Sequence, residues 1–311
     1  MLTAAPAAQP PARTFTVTRR PADGPDGLPC WLALPEKISD RSPPIVAVHG
    51  IRREADAQAN LFAERAAALG RPVIAPIFEK DRWPRYQQAV RRGRADLALL
   101  SLMDALRREG IWHTRTFDLF GFSGGAQFAH RFAMLHPETV SRLTTASAGW
   151  YTFPDDAAFP YGLSPRPGRT DQWAPELAAN LDRFLKIPIQ VCVGADDSTR
   201  DRNTRSGPEI DAQQGTHRMA RAARWARALQ DTALARGIAP RVTFWALSAC
   251  GHDFRVCVTR GRLDRIVVPE EHPSDETGTS AMRSVVQRFP VCKGEGATGV
   301  TSGRPSPGQT A

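Results

Sequence analysis

Three features that would assign a class at once are missing from the sequence. No apolar stretch among its 311 residues approaches 18 residues in length, so a transmembrane helix is not expected. The start, MLTAAPAAQPPARTF, has neither a basic segment nor an apolar core, which argues against a secretory signal. Cysteine is scarce and odd in number, at five, so reduced thiols are expected rather than a disulfide framework. Together these absences predict a cytoplasmic protein.

Lysine is also rare, since only four of the 41 basic residues are lysine and the rest are arginine. The formal net charge of +9 would suit a nucleic-acid partner. However, the densest arginine run, residues 217–230, also carries a narrow stripe of Met, Ala and Leu, and it predicts an amphipathic helix with a solvated arginine face. No segment resembles a helix-turn-helix, an RNA-recognition motif or a zinc finger. Neither a nucleic acid nor a membrane is expected as a partner, and the oligomeric state stays open.

Apolar runs alternate with helical periodicity along most of the chain. Such alternation predicts an α/β fold, with a mostly parallel eight-stranded sheet covered by helices on both faces. A solvated aromatic loop with Trp83 and Tyr86 is expected between the fourth strand and the next helix. The predicted strands are residues 13–19, 30–34, 43–50, 71–78, 116–122, 142–149, 187–194 and 241–247.

Two regions interrupt this alternation within and after a predicted domain of residues 13–268. Residues 150–175 are rich in proline and aromatic residues without a clear period, and they predict a lid or substrate loop. Residues 269–293 form a C-terminal extension without a recognisable pattern. Residues 294–311 are mostly Gly, Ser, Thr and Pro, so they cannot bury enough apolar surface to fold and are expected to be disordered.

The stretch DLFGFSGGAQFAHRF places a single serine, Ser123, in a Gly-x-Ser-x-Gly pattern between a predicted strand and a predicted helix. In that setting the turn is tight, and the serine hydroxyl projects at the carboxyl end of the sheet. The N-terminus of the following helix directs partial positive charge to the same place. The motif therefore indicates a nucleophile.

A serine nucleophile needs a general base that a third group orients. His252 follows the last predicted strand, and Asp196 and Asp197 follow the strand before it, so the order Ser, Asp, His is present. Either aspartate could supply the acid. Backbone N–H groups of Ile51 and Gly124 are expected to bind the oxyanion of a tetrahedral intermediate.

With these residues, the chain resembles the α/β-hydrolase superfamily over residues 13–268. The match is carried by VHGI at 48–51, GFSGG at 121–125, the aspartate pair at 196–197 and GHDF at 251–254. Within it, the pattern is similar to bacterial esterases of the polyhydroxybutyrate-depolymerase-like and dienelactone-hydrolase-like kind. The resemblance implies Asp197 as the acid beside Ser123 and His252. The usual His-Gly-x-x-Gly is His-Gly-Ile-Arg-Arg here, which is a departure in the oxyanion loop.

The expected activity is hydrolysis of small carboxylic esters through an acyl-enzyme, without a cofactor. Phe122, Tyr151 and Phe153 are expected to contact the substrate. The same machinery would also serve an acyltransferase or an amidase. A non-catalytic protein that binds a small ligand under the aromatic segment is an alternative from another class. Cys250, His252 and Cys257 could be imagined as metal ligands, but a fourth ligand at suitable spacing is missing, so no metal is expected.

Overall fold

The computed structural model describes residues 15–24, 27–91, 93–166, 168 and 173–270. Nearly all of the predicted extension 269–293 and the whole predicted tail 294–311 lie outside the described residues. Within the described part, no helix is long and apolar enough to cross a membrane.

One sheet of eight strands organises the described residues, in the order β1-β2-β4-β3-β5-β6-β7-β8. The first two strands pair antiparallel with each other, and β2 pairs antiparallel with β4. All remaining pairs are parallel, so the predicted mostly parallel sheet and the fold class are confirmed. The strands are β1 Phe15–Arg20, β2 Cys30–Pro35, β3 Ile45–Val48, β4 Val73–Pro76, β5 Phe117–Phe122, β6 Val140–Ala146, β7 Ile189–Gly194 and β8 Val242–Leu247.

Helices cover both faces of this sheet, and the central strands β3, β4 and β5 are buried along their whole length. Full burial explains why β3 and β4 are continuous apolar runs in the sequence rather than alternating patterns. The helix α3 after β5 is also buried at every position. The helices are α1 Ala55–Ala68, α2 Ala95–Arg108, α3 Gly124–Leu135, α4 Trp173–Ala179, α5 Leu181–Phe184, α6 Pro208–Gln214, α7 Arg218–Ala235, α8 Phe254–Thr259 and α9 Leu263–Val267.

The arginine-rich helix α7 differs from the expected solvated face. Arg224 and Arg227 are exposed, but Arg218 and Arg221 are buried. Burial is tolerated because their guanidinium groups are bonded: Arg221 donates to the carbonyl of Gly215 at 2.9 Å and to Asp211 at 3.0 Å. The prediction of a solvated arginine face was therefore wrong for half of these residues.

The aromatic loop expected to be solvated is buried as well. Trp83 and Tyr86 are 3% and 2% exposed, and the Phe78 and Tyr86 rings stack with centroids 5.1 Å apart. The reason is that this loop packs against the segment after β3, where the Tyr86 hydroxyl donates to the His49 carbonyl.

Candidate active site

The turn between β5 and α3 holds Ser123 in a strained conformation. Its φ is +55°, which is rare for a residue with a side chain. Gly121 and Gly125 allow this turn, since a Cβ on Gly121 would overlap the Gly125 carbonyl and one on Gly125 would overlap the Val48 carbonyl. The glycines of the motif are thus required by close backbone approach, as the sequence pattern predicts.

Three side chains from three strand ends form a continuous hydrogen-bond chain. His252 Nε2 lies 3.0 Å from Ser123 Oγ, and His252 Nδ1 lies 2.9 Å from Asp197 Oδ2. Because an ionised carboxylate only accepts, Nδ1 carries the proton and Nε2 is free to accept from the serine hydroxyl. This arrangement can remove a proton from Ser123 as its oxygen attacks a carbonyl carbon.

The two adjacent aspartates after β7 occupy different environments. Asp197 is buried and faces His252, whereas Asp196 is exposed and its N–H donates to the Cys250 carbonyl at 2.9 Å. The structure therefore brings Asp197, and not Asp196, into the hydrogen-bond chain with Ser123 and His252.

A buried arginine, which the sequence did not indicate, contacts the second oxygen of the same carboxylate. Arg218 Nη1 lies 3.3 Å from Asp197 Oδ1, and Arg218 Nη2 donates to both oxygens of Asp201 at 3.0 Å. Burial raises the pKa of Asp201, but hydrogen bonds from Arg218 and Thr204 outweigh it and lower the pKa to about 2. Asp201 is ionised at neutral pH.

The loop after β3 brings the Ile51 amide close to Gly124, the residue after Ser123. The Ile51 backbone nitrogen lies 3.4 Å from the position that a Cβ on Gly124 would take. The Ile51 nitrogen is therefore close to Gly124 at the N-terminus of α3, where the sequence predicts the two N–H donors for an oxyanion.

Buried groups beneath this loop fix its path. Tyr86 donates its hydroxyl proton to the His49 carbonyl at 2.6 Å, and the Phe78 N–H donates to His49 Nε2 at 3.1 Å. His49 Nδ1 therefore carries the proton and donates to the Gly50 carbonyl at 2.8 Å. Burial lowers the pKa of His49 to about 4, so it is neutral. Arg53, with its guanidinium 5.1 Å from the Tyr86 ring centroid, donates to the Phe78 and Trp83 carbonyls.

A polar cavity of about 270 Å³ opens above Ser123 and His252. The predicted contact residue Phe122 lines it, with its ring stacked on His252 at a centroid distance of 5.2 Å. The lining residues are Gly50, Ile51, Arg52, Glu54, Gln58, Phe122, Ser123, Asp201, Asn203, His252, Asp253, Phe254 and Arg255.

The other two predicted contact residues, Tyr151 and Phe153, lie in the hydrophobic core instead of the cavity wall. Tyr151 is fully buried and stacks on Trp225 with centroids 4.4 Å apart. Trp225 Nε1 also donates to the Thr152 carbonyl at 2.9 Å. The expected contact of these two residues with a substrate is therefore wrong: Trp225 of α7 covers the Tyr151 ring, and Phe153 is 5% exposed within the core.

The three residues considered as metal ligands, Cys250, His252 and Cys257, make other contacts in the structure. His252 is held between Ser123 and Asp197, and both cysteines are free thiols. Cys257 Sγ lies 3.7 Å from the Gly251 carbonyl. In the part of the chain that the structure describes, no group of three or more His, Cys, Asp or Glu residues could hold a metal ion.

Comparison with known proteins places this geometry in context. No family model matches the chain, and curated proteins gave no match. Among solved structures, poly(aspartic acid) hydrolase-1 from Sphingomonas sp. KT-1 is 25% identical, with a TM-score of 0.66 over 81% of this chain and 97% of that one. A poly(3-hydroxybutyrate) depolymerase from Bordetella parapertussis is 24% identical, with a TM-score of 0.66 over 84% and 92%. An S-formylglutathione hydrolase from Agrobacterium tumefaciens is 14% identical, with a TM-score of 0.53 over 84% and 97%.

Proposed function

We propose that this chain, which has the α/β-hydrolase fold, is a serine hydrolase that cleaves carboxylic esters through an acyl-enzyme. The observation that carries the proposal is the pair of hydrogen bonds, 3.0 and 2.9 Å long, that join Ser123, His252 and Asp197. The name of the structure at 25% identity, a poly(aspartic acid) hydrolase, supports hydrolysis as the reaction class.

Acylation begins when Ser123 Oγ attacks the ester carbonyl carbon and His252 Nε2 takes the hydroxyl proton. Asp197 holds the imidazole by Nδ1–H and stabilises the imidazolium that forms. The former carbonyl oxygen carries the negative charge, which the N–H groups of Ile51 and Gly124 bind. When the tetrahedral intermediate collapses, the bond to the alcohol oxygen breaks and His252 returns the proton to the leaving alcohol.

Deacylation repeats these steps with water as the nucleophile. His252 takes a proton from the water molecule, whose oxygen attacks the acyl carbon, and the proton then passes to Ser123 Oγ as the bond to the acyl group breaks. The products are a carboxylic acid and a free enzyme. An amine or alcohol that replaces water would give acyl transfer with the same groups.

The size and polarity of the cavity support short acyl chains. Its volume of about 270 Å³ is below the usual range for drug-sized ligands, about 300–1,000 Å³. Most of its lining side chains are polar or charged, which would leave a long aliphatic chain in contact with water. We therefore expect acetyl and propionyl esters to be turned over faster than octanoyl esters.

The test is a series of p-nitrophenyl esters of increasing acyl length, assayed with the wild-type protein, Ser123→Ala and a control. Ser101→Ala is a matched control because it removes the same hydroxyl at an exposed position of α2. The proposal predicts turnover by wild type and control, with loss in Ser123→Ala. Turnover that survives in Ser123→Ala, or turnover of p-nitroanilides without turnover of esters, would overturn it.

A further inference from the structure

Arg218 occupies a position that joins the acid of the site to the cavity wall. Its side chain is 2% exposed, at the first turn of α7. It contacts Asp197 Oδ1 at 3.3 Å and Asp201 at 3.0 Å, and Asp201 itself lines the cavity. The hydrogen-bond chain from Ser123 therefore continues through His252 and Asp197 to a buried cation and then to a second carboxylate.

The backbone holds the same connection in place. The Met219 N–H donates to the Asp197 carbonyl at 3.1 Å, so the start of α7 is attached to the loop that carries the acid. Asp201 lies 17 residues before Arg218 in sequence, and its backbone N–H also contacts Thr204 Oγ1 at 3.4 Å. Arg218 is thus fixed by its partners on one side and by α7 on the other.

We propose that Arg218 is a positioning residue for the site: it holds Asp197 against His252, and its charge, balanced by Asp201, is electrostatically coupled to the proton that His252 accepts from Ser123. This inference rests on the proposed function for its kinetic consequence. A positive charge beside Asp197 disfavours the imidazolium of the resting enzyme, and a negative charge favours it. The three charges Asp197, Arg218 and Asp201 sum to −1 in the wild-type protein.

Other ionisable groups around this cluster are the same in every variant below. Burial raises the pKa of Tyr151 and of Cys257, so both face Asp197 as neutral groups. Arg221, the next arginine on the buried side of α7, is paired with Asp211 at 3.0 Å. On the cavity side the lining contributes four exposed charged residues, which stay the same in every variant below: Arg52, Glu54, Asp253 and Arg255.

Two substitutions change the charge sum in opposite directions. Arg218→Gln makes it −2, so the acidic limb of the kcat/KM profile should move to higher pH. Asp201→Asn makes it 0, so the limb should move to lower pH. We take an effective dielectric constant of about 20 and a distance of roughly 10 Å between the changed charge and the His252 ring. One unit of charge then shifts the acidic limb by about 1 pH unit, which is a tenfold change in the protonation equilibrium.

The experiment measures kcat/KM for p-nitrophenyl acetate, a neutral ester, from pH 4.5 to pH 9 in the two variants and the wild type. Arg218→Lys keeps the charge and should leave the limb near its wild-type position with a reduced kcat. Arg227→Gln is the matched control, because it removes one arginine from an exposed position of the same helix. The acidic limb of Arg227→Gln should stay at its wild-type pH. Arg218→Gln should also lower kcat, because Asp197 loses its contact with the guanidinium group.

A second readout does not depend on activity. Titration of the His252 ring by ¹⁵N NMR, assigned by its absence from His252→Gln and recorded in the Ser123→Ala background, should show the same two opposite shifts. The inference would be overturned if the acidic limb and the NMR midpoint of Asp201→Asn stay at their wild-type values. It would also be overturned if both quantities move in the same direction in Arg218→Gln and Asp201→Asn. If circular dichroism shows that Arg218→Gln does not fold, Asp201→Asn decides alone, since Asp201 is 39% exposed. A wild-type protein without ester turnover would overturn the proposed function, while the NMR arm would still test the charge coupling.

Discussion

Replacing each of the two adjacent aspartates by asparagine tests the acid of the site with a built-in control. Asp197→Asn keeps the size of the side chain but removes its charge, and Asp196→Asn makes the same change one residue away at an exposed position. The buried Asp197 bonds His252 through one oxygen and Arg218 through the other.

The contacts of Asp197 decide how the asparagine amide would orient. Arg218 only donates, so the amide oxygen faces Arg218 and the NH₂ group faces His252 Nδ1. Nδ1 must then accept, which puts the imidazole proton on Nε2, where it blocks proton transfer from Ser123. The same change in a serine protease triad lowers kcat by about 10⁴, equivalent to about 5 kcal/mol.

The assay is kcat for p-nitrophenyl acetate, with thermal unfolding as a check of folding. We expect a loss of about 10⁴ for Asp197→Asn and less than about threefold for Asp196→Asn. Normal turnover by Asp197→Asn, or a loss of equal size in both variants, would refute the assignment of Asp197.

Three further predictions concern the scaffold of the site. Gly125→Ala should lower the free energy of unfolding by about 3 kcal/mol in urea titrations, because its Cβ would overlap the Val48 carbonyl. Gly251→Ala, whose Cβ meets nothing within 4 Å, should stay within about 0.5 kcal/mol of wild type, and equal losses would contradict the elbow geometry. Phe153→Ala should lower the free energy of unfolding by about 3–5 kcal/mol with acyl-length preference unchanged, and a changed preference at full stability would contradict its placement in the core. Burial keeps His49 neutral with a pKa of about 4, so unfolding takes up a proton below pH 6.5, and the free energy of unfolding should fall by about 3 kcal/mol toward pH 4. His49→Gln should lose that part of the pH dependence, and an unchanged dependence would contradict its burial as a neutral ring.

Local signals in the sequence were sufficient to predict that Ser123 and His252 come together. Ser123 lies in a strand-turn-helix pattern whose glycines are needed within five residues, so the constraint is visible in one short stretch. His252 follows the last strand of the sheet, at the edge where parallel strands end together. The choice between Asp196 and Asp197 needed either a family resemblance or the geometry, since both follow β7.

Residues that act through long-range contacts could not be predicted in this way. Arg218 looks like a solvated charge in a helical pattern, because its acidic partners lie 17 and 21 residues away. Tyr86 supports the His49 carbonyl across 37 residues, and no local periodicity marks such a pair. Aromatic residues in an irregular segment suit a lid and a core equally well, which is why Tyr151 was misplaced.

The most direct measurement of the central claim is capture of the covalent intermediate. The protein is mixed with p-nitrophenyl acetate, quenched in acid within milliseconds, digested and mapped by mass spectrometry. The account predicts one acetyl group on the peptide that contains Ser123, and its disappearance in Ser123→Ala together with turnover. An acetyl group on another residue that forms and decays at the rate of turnover, or turnover that persists in Ser123→Ala, would contradict the account.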